Sequence, residues 1–176
     1  MPQEVSTLFL ECSQKTLLGE YWPRMQRALE PLTDEQIWWR PNEASNSIGN
    51  LLLHLNGNAH QWIVATFNRL DDARNRPAEF GERDRIPASE LLKRLGATLD
   101  EVSRVLARLS EADLAAPYNI QGYHVTGLSA VYHVVEHFGM HYGQILYLAK
   151  MLTGEDLSFY PELKQTGRAF ESAARE

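Results

Sequence analysis

The sequence predicts an all-α fold with a four-helix bundle core, and three observations support this. Four long stretches carry apolar residues at the three- and four-residue spacing of an amphipathic helix. No stretch of any length alternates apolar and polar residues as a strand would. The chain has 176 residues, of which 44% are hydrophobic and 23% charged, as expected for one domain with a sizeable core. We therefore expect a single helical domain over residues 1–176.

Prolines and capping residues delimit the first two long helices. Residues 4–30 predict the first helix, in which Pro23 should cause a kink or a restart. Ser47 is a suitable N-cap for the second helix, which we place at about residues 48–68. The predicted helical stripe of the first helix consists of Val5, Leu8, Phe9, Cys12, Thr16, Gly19 and Tyr21.

The second half of the chain predicts two more long helices, separated from the first two by a charged connection. Residues 69–87 are long for a link between adjacent antiparallel helices, so we expect this segment to cross over the bundle. The third helix is predicted at about residues 88–109. Residues 117–127 are then expected to form a loop that contains His124. The fourth helix follows at about residues 127–153, with Gly154 as its stop.

The fourth predicted helix carries three of the six histidines, at four-residue steps: His133, His137 and His141. At about 100° per residue, His137 and His141 border the apolar sector of this helix, while His133 lies nearer the solvent edge. Gln144 falls inside the same arc and could orient a histidine or a ligand. Residues four apart lie one turn above each other, so neighbouring pairs can share a ligand.

A fourth histidine of interest, His54, lies on the second predicted helix. Asn58 and Gln61 fall close to it on the helical wheel, so His54 faces a polar groove. His60 points elsewhere and is expected on the surface.

Two interpretations of the inward histidines remain open at this point. Buried polar groups are usually satisfied by hydrogen bonds, so His137 and His141 could simply be core histidines. The same four-residue spacing also occurs in helical zinc sites, although the glutamate of the zinc-protease helix is absent here. A metal site would need a third ligand from elsewhere in the chain.

The composition excludes several classes of function. The net charge is −6 without any lysine–arginine run, which argues against a nucleic-acid-binding surface. No apolar run reaches about 18 residues, so no membrane span is expected. Cys12 is the single cysteine, so no internal disulfide can form and a cytoplasmic location is expected. The first residues show no signal peptide.

Two stretches of this sequence resemble the DinB/YfiT-like family of metalloenzymes: SIGNLLLHL at residues 47–55 and EHFGMHYGQI at residues 136–145. The resemblance implies an up-down-down-up four-helix bundle, with the long crossover between the second and third helices. It also implies a divalent metal ion held by His54, His137 and His141, and a homodimer. His133 departs from the family pattern as an extra histidine, and the angles place it in the pocket or behind the ligands. The alternative, that His133 and His137 bind and His141 does not, is disfavoured because His141 lies nearer the core.

Three imidazoles would leave open positions on a divalent ion, which is typical of a catalytic site. Nitrogen donors suit zinc or nickel. The first hypothesis is therefore a metal-dependent transferase or hydrolase acting on a small molecule, with a low-molecular-weight thiol as a possible co-substrate; the catalytic residues are unknown. The second hypothesis is a non-catalytic metal-binding or stress-response protein. The third is a helical scaffold whose histidines are satisfied core groups. Asn58, Gln61, His133 and Gln144 are the candidate residues around the site.

Overall fold

The computed structural model describes residues 4–160, and within them the chain is predominantly helical. Four helices are long. The first, α1, is continuous through Val5–Gln14, Lys15–Tyr21 and Trp22–Leu29, and α3 is continuous through Ile48–Ala59, His60–Ala65 and Thr66–Asn68. The other two are α5, Ala88–Leu106, and α7, Gly127–Thr153. The all-α class and the approximate positions of the four long helices are as the sequence predicts.

Both α1 and α3 contain a π-helical segment, at Lys15–Tyr21 and His60–Ala65 respectively. In α1 this segment leads directly to Pro23, which has no N–H to donate and would clash with a regular helical carbonyl. The backbone N–H of Trp22 instead bonds to the carbonyl of Leu17, five residues back. The helix therefore continues past Pro23 by widening one turn. In α3 the π segment follows His54 within two turns, and such segments are frequent near functional sites.

Three short helices occupy the connections. They are α2, Asp34–Trp38; α4, Arg76–Gly81; and α6, Glu111–Ala115. Capping boxes begin α2 and α6, since Thr33 and Ser110 each exchange hydrogen bonds with the third residue of the helix. The connection over residues 69–87 is therefore more structured than the sequence suggested, because α4 lies within it and packs against α3.

The expectation that the chain has no strand is wrong, and so is the assignment of residues 117–127 to a loop. β1, Pro117–Ile120, pairs antiparallel with β2, Tyr123–Thr126, in a two-stranded hairpin. The turn residues Gln121 and Gly122 both have positive φ, 55° and 83°, which is the conformation of a tight type I′ hairpin turn. His124 lies on β2, paired with Asn119.

The core is formed by the inward faces of the long helices. In α5 the buried apolar residues recur at three- and four-residue steps: Leu91, Leu95, Leu99, Val102, Val105 and Leu106. The stripe predicted for α1 is wrong. Val5 is 82% exposed and Cys12 is also exposed, whereas Leu10, Ser13 and Leu17 on the neighbouring row are buried. Over residues 4–160, no helix has both the length and the apolar character needed to span a bilayer.

Contacts between helices show that α3 is antiparallel to α7 and that α1 is antiparallel to α5. An up-down-down-up order requires both relations, and the complete order of the four long helices stays a prediction. The contacts are His54 with His137 and Asn58 with His133 for the first pair, and Gln14 with Ser103 and Trp22 with Gly96 for the second.

Residues 154–160, which follow α7, return to α1 and pack against it. The guanidinium of Arg24 lies 4.7 Å from the ring centre of Tyr160 and donates a hydrogen bond to its hydroxyl. The guanidinium of Arg27 lies 5.4 Å from the ring centre of Phe159. The sequence also predicts that the residues from Lys164 onward are loosely held, and these lie outside the described residues.

Candidate metal centre

The structure brings together the three histidines that the sequence singled out as ligands. His54 comes from the middle of α3, while His137 and His141 come from successive turns of α7. One ring nitrogen of each lies within 4.8 Å of the others, so the three could hold a metal ion. His54 and His141 are buried and His137 is half-buried. The antiparallel packing of α3 against α7 thus supplies the third ligand that the spacing on α7 alone could not provide.

The ring of His54 is oriented by a carboxylate that sequence reasoning did not identify. Its Nδ1 lies 2.8 Å from Oε2 of Glu79, on α4. Nη2 of Arg74 lies 3.1 Å from the same nitrogen, but the carboxylate is closer and can only accept. We therefore place the ring hydrogen on Nδ1, which leaves the lone pair on Nε2. That Nε2 lies 2.8 Å from Nε2 of His137. Two lone pairs so close repel unless a proton or a cation satisfies them, so the donor set fits a metal ion.

Glu79 is in turn fixed by Arg74. The guanidinium donates from Nε to Oε1 at 2.7 Å and from Nη2 to Oε2 at 2.9 Å, a two-pronged ion pair. The side chains of Arg74 and Glu79 are only 6% and 11% exposed. Burial by itself raises the pKa of Glu79, but the hydrogen bonds from Arg74 and His54 outweigh it and hold that pKa below its ordinary value. Glu79 is therefore ionised at neutral pH and can accept the proton on Nδ1 of His54.

A buried asparagine holds the α4 segment against α3. Asn50 completes the capping box with Ser47 at the start of α3. Its Nδ2 also donates to the backbone carbonyls of Glu79 at 3.0 Å and Glu82 at 3.2 Å. The side chain of Asn50 consequently fixes both the start of α3 and the position of Glu79.

His141 is oriented in the same way by Gln144, one of the predicted neighbours. Nδ1 of His141 donates to Oε1 of Gln144 at 2.8 Å, which leaves Nε2 directed inward. Burial lowers the pKa of His141, although this hydrogen bond acts in the opposite direction. Burial, reinforced by His141 and His54, lowers the pKa of His137 to about 3. His137 and His141 are therefore neutral at physiological pH, the form in which imidazole binds metals.

The other predicted neighbours lie around the cluster in different roles. Nε2 of His133 is 3.1 Å from Nδ2 of Asn58, and its ring lies 3.9 Å from that of Trp62, centre to centre. His133 is not in the group of three converging nitrogens. The side chain of Gln61 is hydrogen-bonded elsewhere: its Oε1 accepts from Nη1 of Arg74 at 2.9 Å, and its Nε2 donates to Asp72. Gln61 is therefore linked to His54 through Arg74, which contacts both residues.

An open cavity of about 620 Å³ lies against the cluster. His54 and His137 line it, with Asn58 and His133 beside them. Its opposite wall is the β1–β2 hairpin, which contributes Gln121, Tyr123, His124 and Val125. The cavity thus gives a small molecule access to the histidine cluster, and the unexpected hairpin forms one side of that access.

The sequence did contain local signals for the elements that were missed. Asn75 followed by Pro77 is a typical helix start, and the side chain of Asn75 indeed accepts from the N–H of Ala78. Gln121–Gly122 lies between strand-forming residues and is close to the Asn-Gly signal of a two-residue hairpin. No local signal indicates that Glu79 reaches His54, because that contact depends on how α4 packs.

Known proteins share this fold, and a known family model matches the part of the chain that contains the three histidines. The family model of the DinB superfamily matches residues 17–145, which include all three histidines. A conserved protein from Enterococcus faecalis has a similar structure, with a TM-score of 0.71 and 18% identity over 88% of this chain and 100% of that one. A DinB-like protein from Bacillus subtilis gives a TM-score of 0.63 and 18% identity over 84% and 96% of the two chains.

A DinB-like protein from Bacillus cereus gives a TM-score of 0.61 and 14% identity, over 79% of this chain and 89% of that chain. No curated protein matches this sequence. At these identities the similarity concerns the fold alone. What the site does must therefore be argued from its own residues.

Proposed function

This chain belongs to the DinB superfamily, and on that premise we propose that it is a metal-dependent enzyme that acts on a small molecule by thiol transfer or hydrolysis. The observation that carries the proposal is the cavity of about 620 Å³ with His54 and His137 in its wall. A structural metal site is usually closed by four protein ligands. Three histidines beside an open cavity leave room on the ion for a substrate.

The native ion in this proposal is zinc or nickel, because all three candidate ligands are imidazole nitrogens. When bound, such an ion would act as a Lewis acid and lower the pKa of a bound water or thiol. The chain's own groups hold the ligands ready for it. Glu79 and Gln144 fix the Nδ1 hydrogens of His54 and His141, so both rings offer Nε2.

The cavity residues would bind and orient the substrate. Asn58 and Gln121 offer amide groups, and the indole of Trp62 provides an apolar wall. His133 lies between Asn58 and Trp62, one helical turn before His137, where it can contact a bound molecule without binding the ion. Glu136 is exposed on the outer side of α7, so it does not serve as a base.

The competing function is a metal-binding or stress-response protein without turnover. Elemental analysis of untagged, full-length protein purified without chelator tests the common premise, with about one ion per chain as the expected result. Incubating that protein with a low-molecular-weight thiol and a small electrophile, or with small ester substrates, then separates the two functions. Stoichiometric metal without turnover would favour the competing function. Absence of metal would leave only the helical scaffold with satisfied core histidines.

We also propose that the protein is a homodimer, with α7 as the interface. The outer side of α7 exposes Leu128, Tyr132, Met140, Tyr147 and Met151, which share one helical face. At its centre, a Cβ on Gly143 would meet nothing within 4 Å. In an antiparallel pair of α7 helices centred on Gly143, Glu136 of each copy would face Lys150 of the other. The face is thus complementary to itself, as a twofold interface requires.

The proposed setting is the cytoplasm. Cys12 is exposed as a free thiol, and a reducing compartment would keep it reduced. Such a compartment would also hold the low-molecular-weight thiols that a thiol transferase would use.

A further inference from the structure

The cavity beside the histidine cluster has an unusual charge for this protein. Among residues 4–160, its lining includes two arginines and four histidines but no aspartate or glutamate. The whole chain, in contrast, carries a net charge of −6. A concave wall that carries a cationic side chain and no carboxylate attracts anions by its local field. The arginines and histidines are Arg74, Arg76, His54, His124, His133 and His137.

Arg74 does not account for this attraction, because its charge is neutralised by the ion pair with Glu79. Its guanidinium donates twice to the carboxylate of Glu79 and once to Gln61, and its Nη2 also donates to the backbone carbonyl of His54 at 3.5 Å. The ion pair neutralises it, and its burial prevents it from turning towards a ligand. Arg74 is a structural cation that positions Glu79.

Arg76 is different in every one of these respects. It is exposed, and it takes part in none of the ion pairs within residues 4–160. The guanidinium lies 5.0 Å from the ring centre of Phe80, one turn along α4, and this contact holds it in place. The ring of Phe80 in turn lies 4.5 Å from that of His54. An uncompensated cation is therefore held one aromatic ring away from a candidate ligand, in the wall of the same cavity.

We propose that the substrate of this site is an anionic small molecule whose carboxylate, phosphate or sulfonate group is bound by Arg76 while its reactive part faces His54 and His137. This inference rests on the proposed function and adds the substrate class to it. Ser129 and His124 line the cavity as well and can donate hydrogen bonds to the anion. The planar guanidinium matches the oxygens of such groups with two parallel hydrogen bonds.

The test compares two probes of nearly equal shape, benzenesulfonate and methyl phenyl sulfone, on the full-length protein. The first is an anion that binds metal ions poorly, and the second is neutral, so their difference reports the cavity charge rather than coordination. Dissociation constants follow from ligand-observed NMR, and the metal content of each sample is measured in parallel. We expect the sulfonate to bind about five-fold more tightly than the sulfone, because Arg76 is exposed and its pairing is partly screened.

Three variants complete the test. Arg76→Gln should bring the ratio of the two dissociation constants to about one and leave the metal content unchanged, whereas Arg76→Lys should keep part of the preference. Arg104→Gln, an exposed arginine on α5 away from the cavity, should behave as wild type. Circular dichroism verifies that each variant is folded.

The two proposals fail in different ways. Metal-containing protein that binds both probes equally, or that keeps its preference in Arg76→Gln, overturns the anionic substrate and leaves the metal enzyme standing. Binding of neither probe at millimolar concentration overturns it as well. Metal-free protein that prefers the sulfonate through Arg76 overturns the metal enzyme, while the anion-binding cavity stands.

Discussion

The carboxylate of Glu79 lies directly against the bare backbone of Gly57. A Cβ built on Gly57 would come within 2.1 Å of Oε1 of Glu79 and within 2.9 Å of Nε of Arg74. Gly57 is one helical turn after His54 on α3, so the glycine creates the space in which the ion pair reaches the histidine. A residue with no side chain thus determines whether the candidate metal centre keeps its supporting carboxylate.

Gly57→Ala should therefore weaken metal binding without touching a ligand. The added methyl group must displace Glu79 and Arg74, and loss of a carboxylate that supports a ligand typically costs about 10- to 100-fold in affinity. Competition with a chromophoric chelator measures this change. Gly19→Ala is the matched control, because Gly19 is also helical and among residues 4–160 a Cβ there would meet only Cγ of Lys15, at an ordinary 3.7 Å. Equal metal affinities in the two variants would contradict the role of Glu79.

The ligand set makes opposite predictions for two histidines of α7. His141→Ala should lose the metal, since two remaining imidazoles hold an ion poorly. His133→Ala should keep nearly full metal content and change activity or its pH dependence, because His133 lines the cavity but lies outside the group of three. Elemental analysis measures the metal content of both variants. If His141→Ala keeps the metal and His133→Ala loses it, the ligands are His133 and His137 rather than His137 and His141.

His54→Ala should lower the metal content as sharply as His141→Ala. The matched control is His60→Ala, since His60 lies six residues further along α3 and is exposed. Both variants lose one imidazole from the same helix, so a difference between them reports the site and not the composition. Full metal occupancy in His54→Ala would show that His54 is not a ligand of the metal ion.

The metal-free protein should lose stability as the pH falls below about 6.5. In the folded chain, burial lowers the pKa of His137 to about 3, whereas the ordinary value is 6.5. Between these values the unfolded chain binds more protons, so the free energy of unfolding decreases as the pH falls, by up to about 1.4 kcal/mol per pH unit for one such histidine. Urea unfolding of chelator-treated protein at pH 7 and pH 5 measures the difference.

Substitution of His137 should flatten that dependence. His137→Asn removes the group whose protonation is suppressed in the fold, while His60→Asn removes an exposed histidine and should change little. The burial-lowered pKa values of His133 and His141 contribute in the same direction, so part of the slope should remain. If the free energy of unfolding depends on pH as steeply in His137→Asn as in the wild type, groups other than His137 cause the loss of stability.

The dimer proposal predicts that Tyr147→Glu produces a monomer. Tyr147 is 71% exposed on the outer face of α7, and a carboxylate there would be buried without a partner in the interface. Sedimentation velocity at tens of micromolar distinguishes the two states. Val5→Glu, on an equally exposed apolar residue of α1, should remain dimeric. A monomeric wild-type protein would refute the interface.

The sequence predicted those parts of the fold that depend on local chemistry. Ser47 and Thr126 cap α3 and α7, and Gly154 adopts a left-handed conformation at the end of α7, so the bounds of these helices could be read from single residues. The buried residues of α5, such as Leu91, Leu95 and Leu99, have the regular helical spacing that the sequence displays. The stripe predicted for α1 was wrong, since α1 contains a π-helical segment before Pro23 and a strict helical wheel does not describe such a helix.

By itself, the sequence determined which histidines could share a face, because four residues of helix place His141 one turn above His137 regardless of the rest of the chain. The tertiary structure decided what surrounds them. Glu79 is 25 residues from His54 and reaches it only because α4 packs across Gly57, and the hairpin faces the cluster only because β2 leads into α7. Such contacts depend on the packing of whole elements, and no spacing within one segment encodes them.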